Sequence, residues 1–166
     1  MTAQEVIDKL GLEPLPEEGG FFRVTYRDNE TIPSGALPRH DGDRQYCSCI
    51  YYLITPEEFS GLHAVLSTET FHFYAGDPVR MIQIDEAGEL TEHIISSDLA
   101  AGHQPQITVT PNTWQGTKLI EGGSWALLGC TVAPAFEYQD FINGTYKELS
   151  KKFPDHKKHI QEYTHK

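Results

Sequence analysis

"HAVLSTETFHFYAGD", residues 63–77, sets apolar side chains at every second place on either side of a small polar break, and it carries two histidines and one glutamate. A period of two marks a half-buried strand. The stretch therefore reads as the end of one short strand, a tight turn at residues 67–69, and the start of the next. Successive side chains on a strand face opposite ways. His63 then shares a face with Val65, against Leu62, Ala64 and Leu66, while Glu69 shares one with Phe71 and Phe73, against His72. A carboxylate buried beside an imidazole is costly unless the two are paired or hold something. That cost makes His63 and Glu69 the first candidates for a site.

The same grammar runs through the middle of the chain. YCSCIYYLI (46–54), GLHAVL (61–66), VRMIQID (79–85), LTEHIIS (90–96), QITVT (106–110) and WALLGCTV (125–132) are short β-rich runs, separated by turn signals such as TPEE, AGD, DEAGE and EGG. FFRVTYR (21–27) reads as a further strand with Phe22, Val24 and Tyr26 on one side, and residues 28–44, rich in Pro, Gly and polar groups, as a long loop. A short helix opens the chain: Thr2 caps it, Glu5 completes a capping box, Val6, Ile7 and Leu10 form its apolar face, and Gly11 stops it. The tail from residue 143 turns helical and is broken at Pro154. Short, evenly spaced strands predict an all-β sandwich or barrel, here one domain over residues 1–166.

A formal charge of −11 opposes phosphate backbones and anionic lipid, so neither a nucleic acid nor a membrane is an expected partner. No apolar run nears the roughly 20 residues of a membrane span, and the first residues do not read as a secretion signal. Three cysteines, two of them at Cys47 and Cys49 on one strand face and expected in the core, fit a reduced, cytoplasmic protein better than a disulfide framework.

The first motif of the cupin superfamily is a histidine, one residue, a second histidine, three or four residues, a glutamate, six residues and a glycine. His63, Val65, Glu69 and Gly76 stand at those places, with Val65 for the second histidine. In PNTWQG (111–116), Pro111 matches the second motif, while Thr113 stands for its glycine and Gly116 for its histidine. Beyond these motifs the chain resembles the cupin-5 branch, once a family of unknown function. The matching pieces are EEGGFFRVTYR (17–27), SCIYYLITPEEFSGLH (48–63), STETFHFYAGDPV (67–79), DLAAGHQPQITVTPNTW (98–114) and LLGCTVAPAFEYQDF (127–141). The resemblance implies a double-stranded β-helix, the cupin jelly-roll barrel. It also implies a homodimer and a fold similar to the nucleotide-sugar epimerases of the dTDP-rhamnose pathway.

A barrel of about eight strands has room for one small ligand. The expected reading is a small-molecule pocket serving a sugar epimerase or isomerase-like enzyme. His63 would act as base, with Glu69, Tyr51 and Tyr74 in support, because proton abstraction beside a carbonyl needs a group poised near neutrality. Arg23 is the candidate for holding a carboxylate or phosphate in two-point fashion. Phe71, Phe73 and Gln106 are expected at the pocket, and the resemblance places Trp114 at its mouth. The ligand class is a sugar phosphate or nucleotide sugar. The alternatives are a metabolite-binding module without catalysis and a metal-dependent oxygenase. For a divalent metal the candidates are His63, Glu69 and His72, short of the three ligands plus water that a catalytic site wants unless a bulge turns His72 inward.

Overall fold

The computed structural model describes residues 1–165. Among them the order is α1 (Ala3–Leu10), β1 (Glu13–Pro14), β2 (Phe21–Arg27), β3 (Thr31–Ile32), β4 (Arg44–Gln45), β5 (Ser48–Ile54), β6 (Ser60–Val65) and β7 (Thr68–Gly76). Then follow β8 (Val79–Ile84), β9 (Leu90–Ile95), β10 (Gln106–Val109), β11 (Trp114–Leu119), β12 (Ala126–Ala133), β13 (Phe141–Asn143), α2 (Tyr146–Lys152) and α3 (Lys157–Glu162).

Two antiparallel sheets lie face to face. One runs β1-β2-β5-β12-β7-β10 and the other β13-β6-β11-β8-β9, with β3 and β4 as a separate ribbon. Inward side chains of both sheets meet in one core cluster, including Tyr52, Phe71, Met81, Ile95, Leu128 and Val132. Helices then cover parts of both outer faces. Val6 of α1 packs with Leu12 and Leu53 on the larger sheet. Leu149, Phe153, Ile160 and Tyr163 of the C-terminal segment pack on Leu62, Ile82 and Ile84 of the smaller one. This is the all-β two-sheet fold that the alternation predicts and the jelly roll that the cupin-5 resemblance implies. The N-terminal capping box is also in place: Glu5 N–H donates to Thr2 Oγ1 at 3.2 Å and Thr2 N–H to Glu5 Oε2 at 2.8 Å.

Two departures from the sequence reading matter for the site. β11 gives no strand signal in the sequence, yet it lies between β6 and β8. Its buried residues include the polar Gln115 and Thr117, so the usual contrast between apolar and polar faces is absent. In β2, Val24 pairs with Ile50 and Tyr26 with Cys49, leaving Thr25 as an extra residue. Such a bulge resets which side chains face inward. Tyr26 leaves the face of Phe22 and Val24 and is 52% exposed, whereas Arg27 takes the inward place.

Candidate functional site

A cavity of about 110 Å³ opens over the inner face of β2, β5, β7 and β12. Leu15, Phe22, Ile50, Phe71, Val132 and Phe136 give it apolar walls, while Glu18, Glu69, Tyr52 and Arg27 supply most of its chemistry.

Glu69 enters from β7 and is fully enclosed, at 6% exposure. Its Oε2 accepts a short hydrogen bond from Gln115 Nε2 on β11, and its Oε1 lies 3.7 Å from Cys130 Sγ on β12. His63 stands behind it on β6. Its Nδ1 lies 2.8 Å from the Gly61 carbonyl, which can only accept, so Nδ1 carries the proton and Nε2 is left to face the acids. Nε2 is 3.9 Å from both Glu69 Oε2 and Glu18 Oε2. The His63 ring is further held by stacking on Phe141, 5.2 Å between centroids.

Glu18 arrives by a different route. The turn over residues 17–20 has positive φ at Glu17 (67°), Gly19 (92°) and Gly20 (77°). A Cβ at Gly19 would sit 2.3 Å from the Phe59 carbonyl oxygen, and one at Gly20 would sit 2.8 Å from the Tyr52 ring. The two glycines thus let the turn press into the barrel end, where Ser60 Oγ donates to Glu18 Oε1 at 2.9 Å. At the back of the same turn His165 Nε2 donates to the Glu18 carbonyl at 2.8 Å. Tyr52 hydroxyl closes the arrangement by donating to the Gly19 carbonyl at 2.8 Å.

Electrostatics single out one group. Burial pushes the Glu69 carboxyl up to about 7; His63 pulls it down, and the nearby Glu18 carboxylate pushes it up again. Burial outweighs the imidazole because Glu69 has lost nearly all of its hydration. A carboxyl that is half-ionised at neutral pH can both take and give a proton. The sequence reading gives that role to His63, but here the imidazole lies behind the carboxyl and outside the cavity lining.

The other expected residues divide cleanly. Phe71 lines the cavity, whereas Phe73 packs against the edge of the core. Tyr51 and Tyr74 are corrected: they meet edge to face on the outer side of the large sheet, centroids 6.1 Å apart. The inward tyrosine is Tyr52, because β5 alternates. Arg23 is also outside, its guanidinium 5.5 Å from the Tyr51 ring centroid. Arg27 has the place expected for it, since the β2 bulge changes the parity. Trp114 packs among the residues under α2, with Lys152 Nζ 5.7 Å from its ring, and is not at the mouth. Gln106 is exposed on β10, opposite His72. His72 bonds to Thr131 Oγ1 at 3.2 Å and stacks parallel to Tyr74 on that outer face, so the bulge that would have joined it to His63 and Glu69 is not there. Cys47 and Cys49, expected in the core, are only half-buried; the enclosed thiol is Cys130.

Sequence reasoning missed Glu18, Gln115, Tyr52 and Arg27. Nothing in EEGG (17–20) marks which of its glutamates turns inward.

The chain matches the family described as Cupin superfamily (DUF985) over residues 4–143. It belongs to that cupin-5 family. Solved structures agree. A hypothetical protein from Leishmania major is 28% identical with a TM-score of 0.91, each chain covered completely. A protein from Shewanella oneidensis is 32% identical with a TM-score of 0.88, covering 99% of this chain and 98% of that one. Oxalate decarboxylase from Bacillus subtilis is 14% identical with a TM-score of 0.54, over 92% of this chain and 37% of that one, a likeness of fold alone. No curated protein matches the chain.

A metal is the cofactor that a cupin implies, and the residues here fit it poorly. Val65 offers no ligand atom, and a side chain at Gly116 would point away from the barrel into Tyr163. The inward neighbour is Gln115, already bonded to Glu69. Among the described residues no group of three or more His, Cys, Asp or Glu has metal-holding geometry.

Proposed function

We propose that this cupin is a small-molecule enzyme of the epimerase or isomerase type, in which Glu69 moves a proton at a carbon beside a carbonyl. The observation that carries this reading is a carboxyl with a pKa of about 7 at the end of an apolar-walled cavity. The C–H bond breaks, its proton goes to the Glu69 carboxylate, and its electron pair moves into the carbonyl to make an enolate. On an α-hydroxy carbonyl the hydroxyl proton passes to the enolate oxygen, and the same carboxyl returns its proton to the former carbonyl carbon, which isomerises the substrate; epimerisation needs the proton returned instead from the opposite face. Gln115 holds Glu69 in orientation, and His63, fixed by Gly61 and Phe141, supports its ionised form. Glu18 opposes that form and keeps the pKa high. The apolar walls exclude water from the enolate. No step runs through a metal.

An engineered cavity of about 150 Å³ holds one benzene ring. A cavity of about 110 Å³ therefore suits the reacting end of a sugar-type molecule, the remainder extending past the rim. Incubation in deuterium oxide with a panel of aldoses, ketoses and their phosphates should put deuterium beside the carbonyl of at least one. The rate should rise through pH 7, and Glu69→Gln should lower it by roughly 10²–10⁴-fold. Ligands that raise the melting temperature with no exchange at any pH would make the protein a binding module instead.

The assembly proposed is a homodimer. Only Phe21 and Phe22 of β2 pair with β1, so residues 23–27 present a free strand edge beside Val24 and Tyr26, 49% and 52% exposed. An open edge of that kind needs a cover, and a second copy across a two-fold axis supplies one. Light scattering at micromolar concentration should give twice 18.7 kDa; a clean monomer would remove the idea. Three free cysteines support a cytoplasmic location.

A further inference from the structure

We propose that Arg27 is the receptor for an oxyanionic group of the substrate, a phosphate or a carboxylate, and that Glu137 occupies this receptor until the ligand displaces it. The inference rests on the cavity being a ligand pocket and names the class of ligand it takes.

Arg27 and Glu137 both line the cavity at its rim. Arg27 Nη1 donates to Glu137 Oε1 at 2.7 Å and to Gln45 Oε1 at 2.9 Å, and Nη2 donates to the Phe136 carbonyl at 2.6 Å. The neutral partners, Gln45 and Phe136, fix the direction of the guanidinium fork. Glu137 is the partner that a ligand can displace. Its side chain is 44% exposed, against 34% for Arg27, and an ion pair that water reaches is held weakly, so the carboxylate leaves at little cost. Arg is the side chain best matched to phosphate and carboxylate geometry.

Charge favours the rim over the interior for such a group. The interior holds Glu18 and Glu69, which repel an anion, whereas the rim already tolerates the anion of Glu137. Exchanging one oxyanion for another leaves the local charge nearly the same. A molecule with its carbonyl end near Glu69 and its charged end on Arg27 would therefore fill the cavity along its length.

Inorganic phosphate and acetate are suitable probes, titrated at constant ionic strength with the shift in melting temperature as readout. Wild type should show saturable stabilisation by at least one of them. Glu137→Gln, which keeps volume and removes the competitor, should bind that anion roughly two- to fivefold tighter. Arg27→Gln should lose the response, and Arg23→Gln on the outer face should keep it. An affinity unchanged in Glu137→Gln overturns the proposal, as does a response retained in Arg27→Gln; should Arg27→Gln fail to fold, Glu137→Gln decides alone. Phosphate binding needs no turnover. Anion binding in Glu69→Gln without any deuterium exchange in wild type would sink the enzyme reading and leave this one standing. Exchange on neutral sugars with no anion response through Arg27 would do the reverse.

Discussion

Glu69→Gln should gain stability over the wild type by about 3 kcal/mol as the pH rises from 4 to 8. The reasoning is linkage. In the unfolded chain the Glu69 carboxyl ionises near 4.5, but in the folded protein only near 7. Below 4.5 both states hold the proton, and folding is indifferent to it. Between the two values the unfolded chain releases a proton that the folded one keeps, so each step up in pH favours unfolding. Above 7 the deficit is complete and constant. Glutamine has no proton to lose, and its amide oxygen still accepts from Gln115. His40 works in the opposite sense: burial lowers its pKa, so it costs stability as the pH falls. That contribution is common to both proteins and cancels in the comparison. Urea midpoints at pH 4, 5, 6, 7 and 8 measure the gap, and parallel curves would mean that Glu69 ionises in the folded protein as it does in water. The same result would remove the proposed proton carrier.

Arg44→Met should cost roughly 3–5 kcal/mol, more than any surface change, because it strands a buried charge. Arg44 Nε and Nη2 donate to the two carboxylate oxygens of Asp140 at 2.7 and 2.6 Å, and both side chains are 1% exposed. Arg44 Nη1 also donates to the Asp43 carbonyl at 2.8 Å. The pair ties the long loop, through β4, to the segment entering β13, and β13 in turn pairs with the strand that carries His63. Removing the cation leaves the Asp140 carboxylate buried, at 1% exposure, without its charged partner. Arg44→Met with Asp140→Leu should recover much of the loss, since a matched apolar pair has no charge to bury. Denaturant unfolding of the two single variants and the double variant gives the coupling directly; singles that lose less than about 1 kcal/mol would show the pair to be solvated after all.

How much of this was legible beforehand depends on the length scale of each signal. The period-two runs marked β2, β5–β10 and β12, because one buried face and one less buried face leave a local imprint. The helix cap at Thr2 and the break at Pro154 are local too. β11 left no imprint, since its inward side chains Gln115 and Thr117 are polar and its burial comes from neighbours distant in the chain. Cys47 and Cys49 were misplaced because their exposure depends on which sheet face stays uncovered.

The site follows the same division. His63 and Glu69 were found from their spacing and from the cost of burying them, and Phe71 followed by alternation. The amino-acid sequence by itself thus determined most of the strand pattern, the first helix, the cupin-5 membership and three members of the site. Tertiary structure decided the rest. Glu18 reaches His63 through a turn whose direction is set by positive φ at three neighbouring residues. Gln115 meets Glu69 only because the two sheets pack face to face, bringing together residues 46 apart in the sequence. Arg27 replaces Arg23 because a single extra residue in β2 reverses the parity of everything after it. Parity and pairing belong to a strand's partners rather than to the strand, and so they become definite only once both sheets have formed.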